Sequence, residues 1–302
     1  MKENEGVKRI LIYVGITFLI TYLVEICILR NLIGSDDVVQ NSIAQAVTMG
    51  VMLIPALGVV ITRLVTHEGF ADAWIAPRMK GNIKYYLIAW FGPAVMTVIG
   101  AVIYFLIFPG EYDSQMSNAI QIYADQGIQF TTQQLRIATI SQLVTAVVIA
   151  PVLNCITCFG EEWGWRGYLV PKLSEKMSFA PMALISGLIW GLWHAPLIAM
   201  GHNYGTDYAG APYLGILSMC IFCIVMGTIF SYLCLRTKSC IPGVIGHGAL
   251  NGFAQAGIIF SKDGGNPFIG PAPTGVIGGI GFIIAACFII FLVSKNNSFH
   301  NS

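Results

Sequence analysis

The chain has 302 residues, 56% of them hydrophobic and only 10% charged, with a mean hydropathy of +0.72. A water-soluble domain carries roughly 25% charged residues, so this composition excludes a soluble globular fold and makes a bilayer the solvent. The net charge of +1 and the lack of a Gly-rich phosphate loop leave no footprint for nucleic acid or nucleotide chemistry.

Apolar runs of about 20 residues are what a bilayer-spanning helix needs. Such runs occur at approximately 10–29, 43–65, 84–108, 138–165, 179–200, 213–235, 241–260 and 275–293. They predict an all-α polytopic membrane protein of about eight transmembrane helices, read as a single integral membrane domain over residues 1–302. The first run follows Lys2, Lys8 and Arg9 but is too long for a signal sequence and contains Glu25, so it reads as a retained helix. Glu25 itself is a lone intramembrane acid, expected to pair with a neighbour. The longest loop, Gly110 to Arg136, holds at most a short interfacial helix.

Lys and Arg alternate between loops. The N-terminus, the segment with Arg63, Arg78, Lys80 and Lys84, that with Arg166, Lys172 and Lys176, the turn with Arg236 and Lys238, and the tail with Lys295 are basic. The intervening loops carry Asp36, Asp37, Glu111, Asp113, Asp125 and Asp207, with only Arg30, Arg136 and Lys262 as cations. By the positive-inside rule this is a multi-pass cell-membrane protein with both termini cytoplasmic.

An ionisable side chain at the centre of a membrane helix costs roughly 2.5–3.5 kcal/mol, so each is a functional candidate. Three groups stand out: Glu161, Glu162 and Arg166 in GEEWGWRGY; Trp190 and His194 in WGLWHAP; and His247 and Asn251 in GHGALNG. Glu162 and Arg166 are four apart and can pair on one helix face, while Glu161 is turned about 100° away. One acid is then held by its arginine and the other is available as a general base. His247 and Asn251 also share a face, and Gly248 with Gly252 would let a neighbouring helix approach closely.

Blander readings stand beside these. The glutamate pair could form an interfacial salt bridge with Arg166 and Lys172. His194 could be a buried histidine on a backbone carbonyl, and His247 with Asn251 could simply bond two helices together. Trp163, Trp165, Trp190 and Trp193 could anchor at the interface or line a substrate groove. Cys155-x-x-Cys158 and Cys220-x-x-Cys223 lie inside apolar helices, where packing is favoured over metal or redox chemistry. His67 and His202 fall at helix ends or loops and need no special account.

These motifs resemble the intramembrane CAAX-protease and bacteriocin-processing family, whose pattern is Glu-Glu-x-x-x-Arg, aromatic-x-x-x-His and His-x-x-x-Asn, each in a membrane helix. The resemblance covers roughly residues 138–255, an expected catalytic core, and departs from the family in having Trp190 where phenylalanine is usual, read as a conservative change. It implies an intramembrane active site that hydrolyses peptide bonds of a hydrophobic or membrane-bound substrate, as in CAAX-type processing or bacteriocin maturation and immunity. Glu161, helped by His194, would activate water; His247 and Asn251 would hold the oxyanion; Glu162 and Arg166 would shape the site. A second mechanism would place zinc on Glu161, His194 and His247. No cofactor is certain from the sequence, which lacks His-Glu-x-x-His. The rival functions are a proton-coupled transporter and a non-catalytic immunity or scaffold protein.

Overall fold

A computed structural model describes residues 2–35, 37–125 and 127–296; Asp36, one of the acids expected in the first loop, lies outside them. The chain is an all-α polytopic membrane protein. Its helices are α1 (Lys2–Cys27), α2 (Val38–Val51), α3 (Ile54–Val65), α4 (Ile83–Ile107), α5 (Ser117–Asp125), α6 (Thr132–Val148), α7 (Ala150–Leu153), α8 (Cys155–Gly164), α9 (Val170–Ser174), α10 (Phe179–Trp193), α11 (Ala195–Ala199), α12 (Tyr213–Thr237), α13 (Ile241–Phe253) and α14 (Ile280–Asn296). Among the described residues four spans, Glu5–Asn31, Val38–Val65, Ile83–Ile107 and Tyr213–Thr237, are long and apolar enough to cross a bilayer, and Phe179–Trp193 and Ile280–Lys295 are shorter apolar helices.

Several expected helices are broken, and proline explains where. A proline inside a helix has no N–H for the carbonyl four residues back. Pro55, Pro151 and Pro196 each sit at the first or second position of a new helix, dividing the runs at Leu53, Ile149 and His194. The carbonyls left over by Pro151 and Pro196 are taken by side chains of other helices. Trp90 Nε1 donates to Val147 O at 2.8 Å, and Tyr22 Oη donates to Leu192 O at 2.7 Å. The fourth run also starts earlier than hydropathy suggests, because Thr131 and Gln134 form a capping box that launches α6 at Thr132.

The helices are inside-out relative to soluble ones. On α1 the buried face is Tyr13, Thr17, Thr21 and Glu25, spaced by four, whereas Leu11, Leu19 and Leu23 are exposed to the lipid. Glu25 corrects an expectation: its Oε2 is buried without a hydrogen-bond partner.

Glycines set the tightest helix contacts. Gly187 and Gly191 on α10 face α12 so closely that a Cβ at Gly191 would lie 2.5 Å from Cys220 Cα. Gly248 on α13 likewise faces α7, where a Cβ would meet Pro151 O at 3.1 Å. Gly191→Leu is expected to cost about 1–3 kcal/mol through overpacking, read as a lowered Tm in detergent.

Loops gather at two ends. At one, Cys240 N donates to Trp74 O at 2.8 Å, Trp163 Nε1 to Ala73 O at 2.8 Å, and Glu68 pairs with Lys172 and, at 3.8 Å, with Arg9. At the other, Lys262 N donates to Glu111 O at 3.0 Å, Arg136 Nη2 to Ser114 O at 2.7 Å, and Tyr204 stacks on Phe268 at 5.0 Å. The basic loops of the sequence thus meet at the first end and the acidic loops at the second.

Candidate active site

Each helix of the site brings its residues by a different local device. On the fourth run, α8 carries Glu161 and Glu162 and passes directly into a π-helical turn, Trp165–Leu169, that holds Arg166 and leads into α9. Such turns insert an extra residue into a helix and recur at functional sites. On the fifth run, α10 ends at Trp193 and His194 is its C-cap, so the imidazole sits at a bend instead of within a straight helix. The site face of α13 carries His247 and Asn251.

Glu162 is the hub of the buried charge. Its Oε1 accepts from Arg166 Nη1 at 2.9 Å and from His247 Nδ1 at 3.0 Å, and none of the three side chains is more than 7% exposed. The expected i, i+4 pair is present, and His247 extends it across two helices. Arg166 also lies over the Trp190 ring, 4.0 Å from its centroid, which gives the guanidinium an electron-rich face in place of water. Lys172 takes no part, pairing with Glu68, so of the salt bridge with Arg166 and Lys172 only the Arg166 half is present, and it is buried.

Glu161 stands apart from this network. Its Oε2 accepts from Trp190 Nε1 at 2.8 Å, both residues being buried. A phenylalanine at this position would have no N–H to offer Glu161. His194 Nδ1 lies 2.9 Å from Trp190 O. A carbonyl only accepts, so Nδ1 carries the proton and Nε2 keeps its lone pair.

Glu161, Trp190, His194, His247 and Asn251 border one cavity of about 480 Å³. Asn251 Nδ2 donates to Cys158 Sγ at 3.8 Å, a weak acceptor that a better one could replace. Trp193 also lines the cavity and donates from Nε1 to Thr21 Oγ1 at 2.7 Å, whereas Trp165 is fully buried and Trp163 is tied to the basic end. The three motifs, from three separate helices, therefore share one space.

The comparison with protein-family models matches residues 138–253 to the family described as Type II CAAX prenyl endopeptidase Rce1-like, a span that holds every residue of this cluster. Over this span the chain is similar to the CAAX-protease and bacteriocin-processing family. Among curated members it is 33% identical over 92 residues to CAAX prenyl protease 2 of Methanococcus maripaludis, covering 30% of this chain and 34% of that protein. It is 27% identical over 166 residues to lysostaphin resistance protein A of Staphylococcus haemolyticus, covering 54% of this chain and 42% of that one. The chain thus spans less than half the length of either relative.

A zinc site would need Glu161, His194 and His247 to close on one point. Among the described residues no three His, Cys, Asp or Glu side chains are grouped so as to hold a metal ion. One oxygen of Glu161 and Nδ1 of each histidine are engaged, which leaves Oε1 of Glu161 and Nε2 of both histidines as the remaining donor atoms. As placed, Glu161, His194 and His247 do not form a three-ligand centre. The eight cysteines are all free; Cys158 and Cys240 pack with Val244 and Phe159, as the apolar reading expects.

Sequence reasoning missed the far wall of the cavity. His202, Asn203, Gln255 and Asn266 line it from two loops, with Thr48 from α2. No periodicity or motif marks them, because loop residues meet only through the path of the helices that carry them.

Proposed function

We propose that this protein belongs to that family and is an intramembrane endopeptidase, with residues 138–255 as its catalytic core, acting on a hydrophobic or membrane-held polypeptide. The observation that carries the reading is the single cavity bordered by Glu161, His194, His247 and Asn251. Glu161 takes a proton from water as the water oxygen bonds to the scissile carbonyl carbon. His194, with Nδ1–H held by Trp190 O, offers the Nε2 lone pair to the same water. His247, its Nδ1–H on Glu162 and its charge balanced by that carboxylate, donates from Nε2 to the oxyanion beside the Asn251 amide. The C–N bond then breaks, and the proton held by Glu161 passes to the leaving amine. Glu162 and Arg166 position His247 and do not touch substrate.

The test is cleavage of quenched fluorescent peptides by purified protein in liposomes. Wild type is expected to cleave and His194→Ala to lose most activity while staying folded; equal cleavage by both removes the assignment. Cleavage is also expected to survive prolonged chelation with EDTA or phenanthroline, since no step runs through a metal. Loss on chelation with recovery on added zinc would reverse that.

Trp190→Phe keeps a ring beneath Arg166 but takes the N–H from Glu161. A hydrogen bond to a charged group contributes about 1.5 kcal/mol or more, so kcat is expected to fall about tenfold. Unchanged kcat would leave the indole N–H without a role in catalysis.

A further inference from the structure

The cavity opens toward one end of the helix bundle. Beyond the catalytic side chains and the α2 and α12 residues, its walls include residues that follow the C-terminal ends of α11 and α13: His202 and Asn203, then Gln255, Asn266 and Thr274. No residue of the 66–82, 171–178 or 236–240 segments borders it. Those three segments belong to the basic end, and 200–205 and 254–274 to the end that carries Glu111, Asp113, Asp207 and Asp263.

A second hollow, of about 530 Å³, adjoins the first through Thr48, Leu197 and His202. It lies between α2 and the 197–202 segment, and its lining residue Met49 belongs to the exposed apolar surface of α2, together with Val38, Val39 and Ile43. The path from the catalytic cavity therefore leads both to the acidic end and sideways to the lipid. Among the described residues its lining contains no Lys, Arg or Asp, and Glu161 at the floor is the only carboxylate.

Basic loops stay on the cytoplasmic side. We propose that the substrate enters from the non-cytoplasmic face, and that it is an uncharged juxtamembrane stretch on that face of a membrane-anchored protein, reaching Glu161 along the groove beside α2. A tethered chain can slide in from the bilayer, and a stretch without charges leaves no ion unpaired against the lining. The substrate half of this inference rests on the peptidase reading, whereas the entry face does not.

Two measurements separate them. In a Cys27→Ser, Cys287→Ser background, which removes the two exposed thiols, His202→Cys and Gln255→Cys at the mouth are compared with Lys80→Cys at the basic end. A membrane-impermeant maleimide is expected to label the first two in intact cells and Lys80→Cys only after permeabilisation. The reverse order overturns the entry face, whatever the enzyme does. The second measurement uses single-span reporter proteins carrying the same uncharged stretch on one face or the other. Cleavage is expected only of the non-cytoplasmic reporter, and to be lost when Gln255→Cys carries a bulky maleimide. Cleavage only of the cytoplasmic reporter overturns the proposal. Cleavage of neither, with labelling as expected, overturns the peptidase reading and the substrate claim together.

Discussion

Glu161→Gln is expected to lower kcat by about 10²–10⁴-fold, the contribution of a positioned general base, with Tm in detergent close to that of the wild type. The two halves of this result have separate causes. Glutamine keeps a carbonyl oxygen for Trp190 Nε1, so the 2.8 Å bond that seats the side chain survives. What it loses is the basic oxygen that takes the proton. A structural glutamate would give the opposite pattern, with stability changed and any cleavage retained. If cleavage persists in Glu161→Gln at the wild-type rate, the base is not Glu161 and the mechanism falls with it.

Arg166→Met is expected to destabilise the protein by about 3–5 kcal/mol, the cost of stranding a buried charge by removing its partner. Glu162 is fully buried, and Arg166 supplies a direct ion pair at 2.9 Å, so no water is at hand to replace the guanidinium. Denaturation of the purified protein in mixed micelles would measure the loss. The double variant Glu162→Gln, Arg166→Met is expected to recover most of the stability, because the neutral amide still accepts from His247 Nδ1. Recovery of activity is not expected, since His247 then lacks the carboxylate that balances its charge. A double variant as unstable as Arg166→Met alone would locate the effect in packing against the Trp190 and Phe230 rings.

Much of the site was legible in the sequence, for physical reasons. Spacing fixes which side chains share a helix face, so the Glu162–Arg166 pair followed from a separation of four residues and the α-helical pitch. Hydropathy located the helices because lipid tolerates no exposed backbone. Composition also placed Cys158 as a packing residue. Other features depended on how one helix is rotated against another, which spacing does not encode. The hydrogen bond from Trp190 to Glu161 joins residues 29 positions apart. Trp190, read from the sequence as a conservative aromatic change, also donates to the proposed base. The contact between His247 and Glu162 crosses 85 positions, and the cavity mouth is built from loops. Glu25 was expected to find a partner, and its Oε2 has none, because spacing along one helix does not say what the facing helices offer.

The polar face of α1 bears on how the protein is made. Tyr13, Thr17, Thr21 and Glu25 would be costly to leave against lipid. Their cover comes partly from α3 and partly from segments synthesised much later: Trp165 packs edge-on against Tyr13, and Trp193 donates to Thr21. When α1 emerges from the ribosome, these later partners do not yet exist. The first helix must therefore be held in a protected, incompletely assembled state until more than half of the chain has followed. Biogenesis is coupled in this way to completion of the same helices that carry the glutamates and His194.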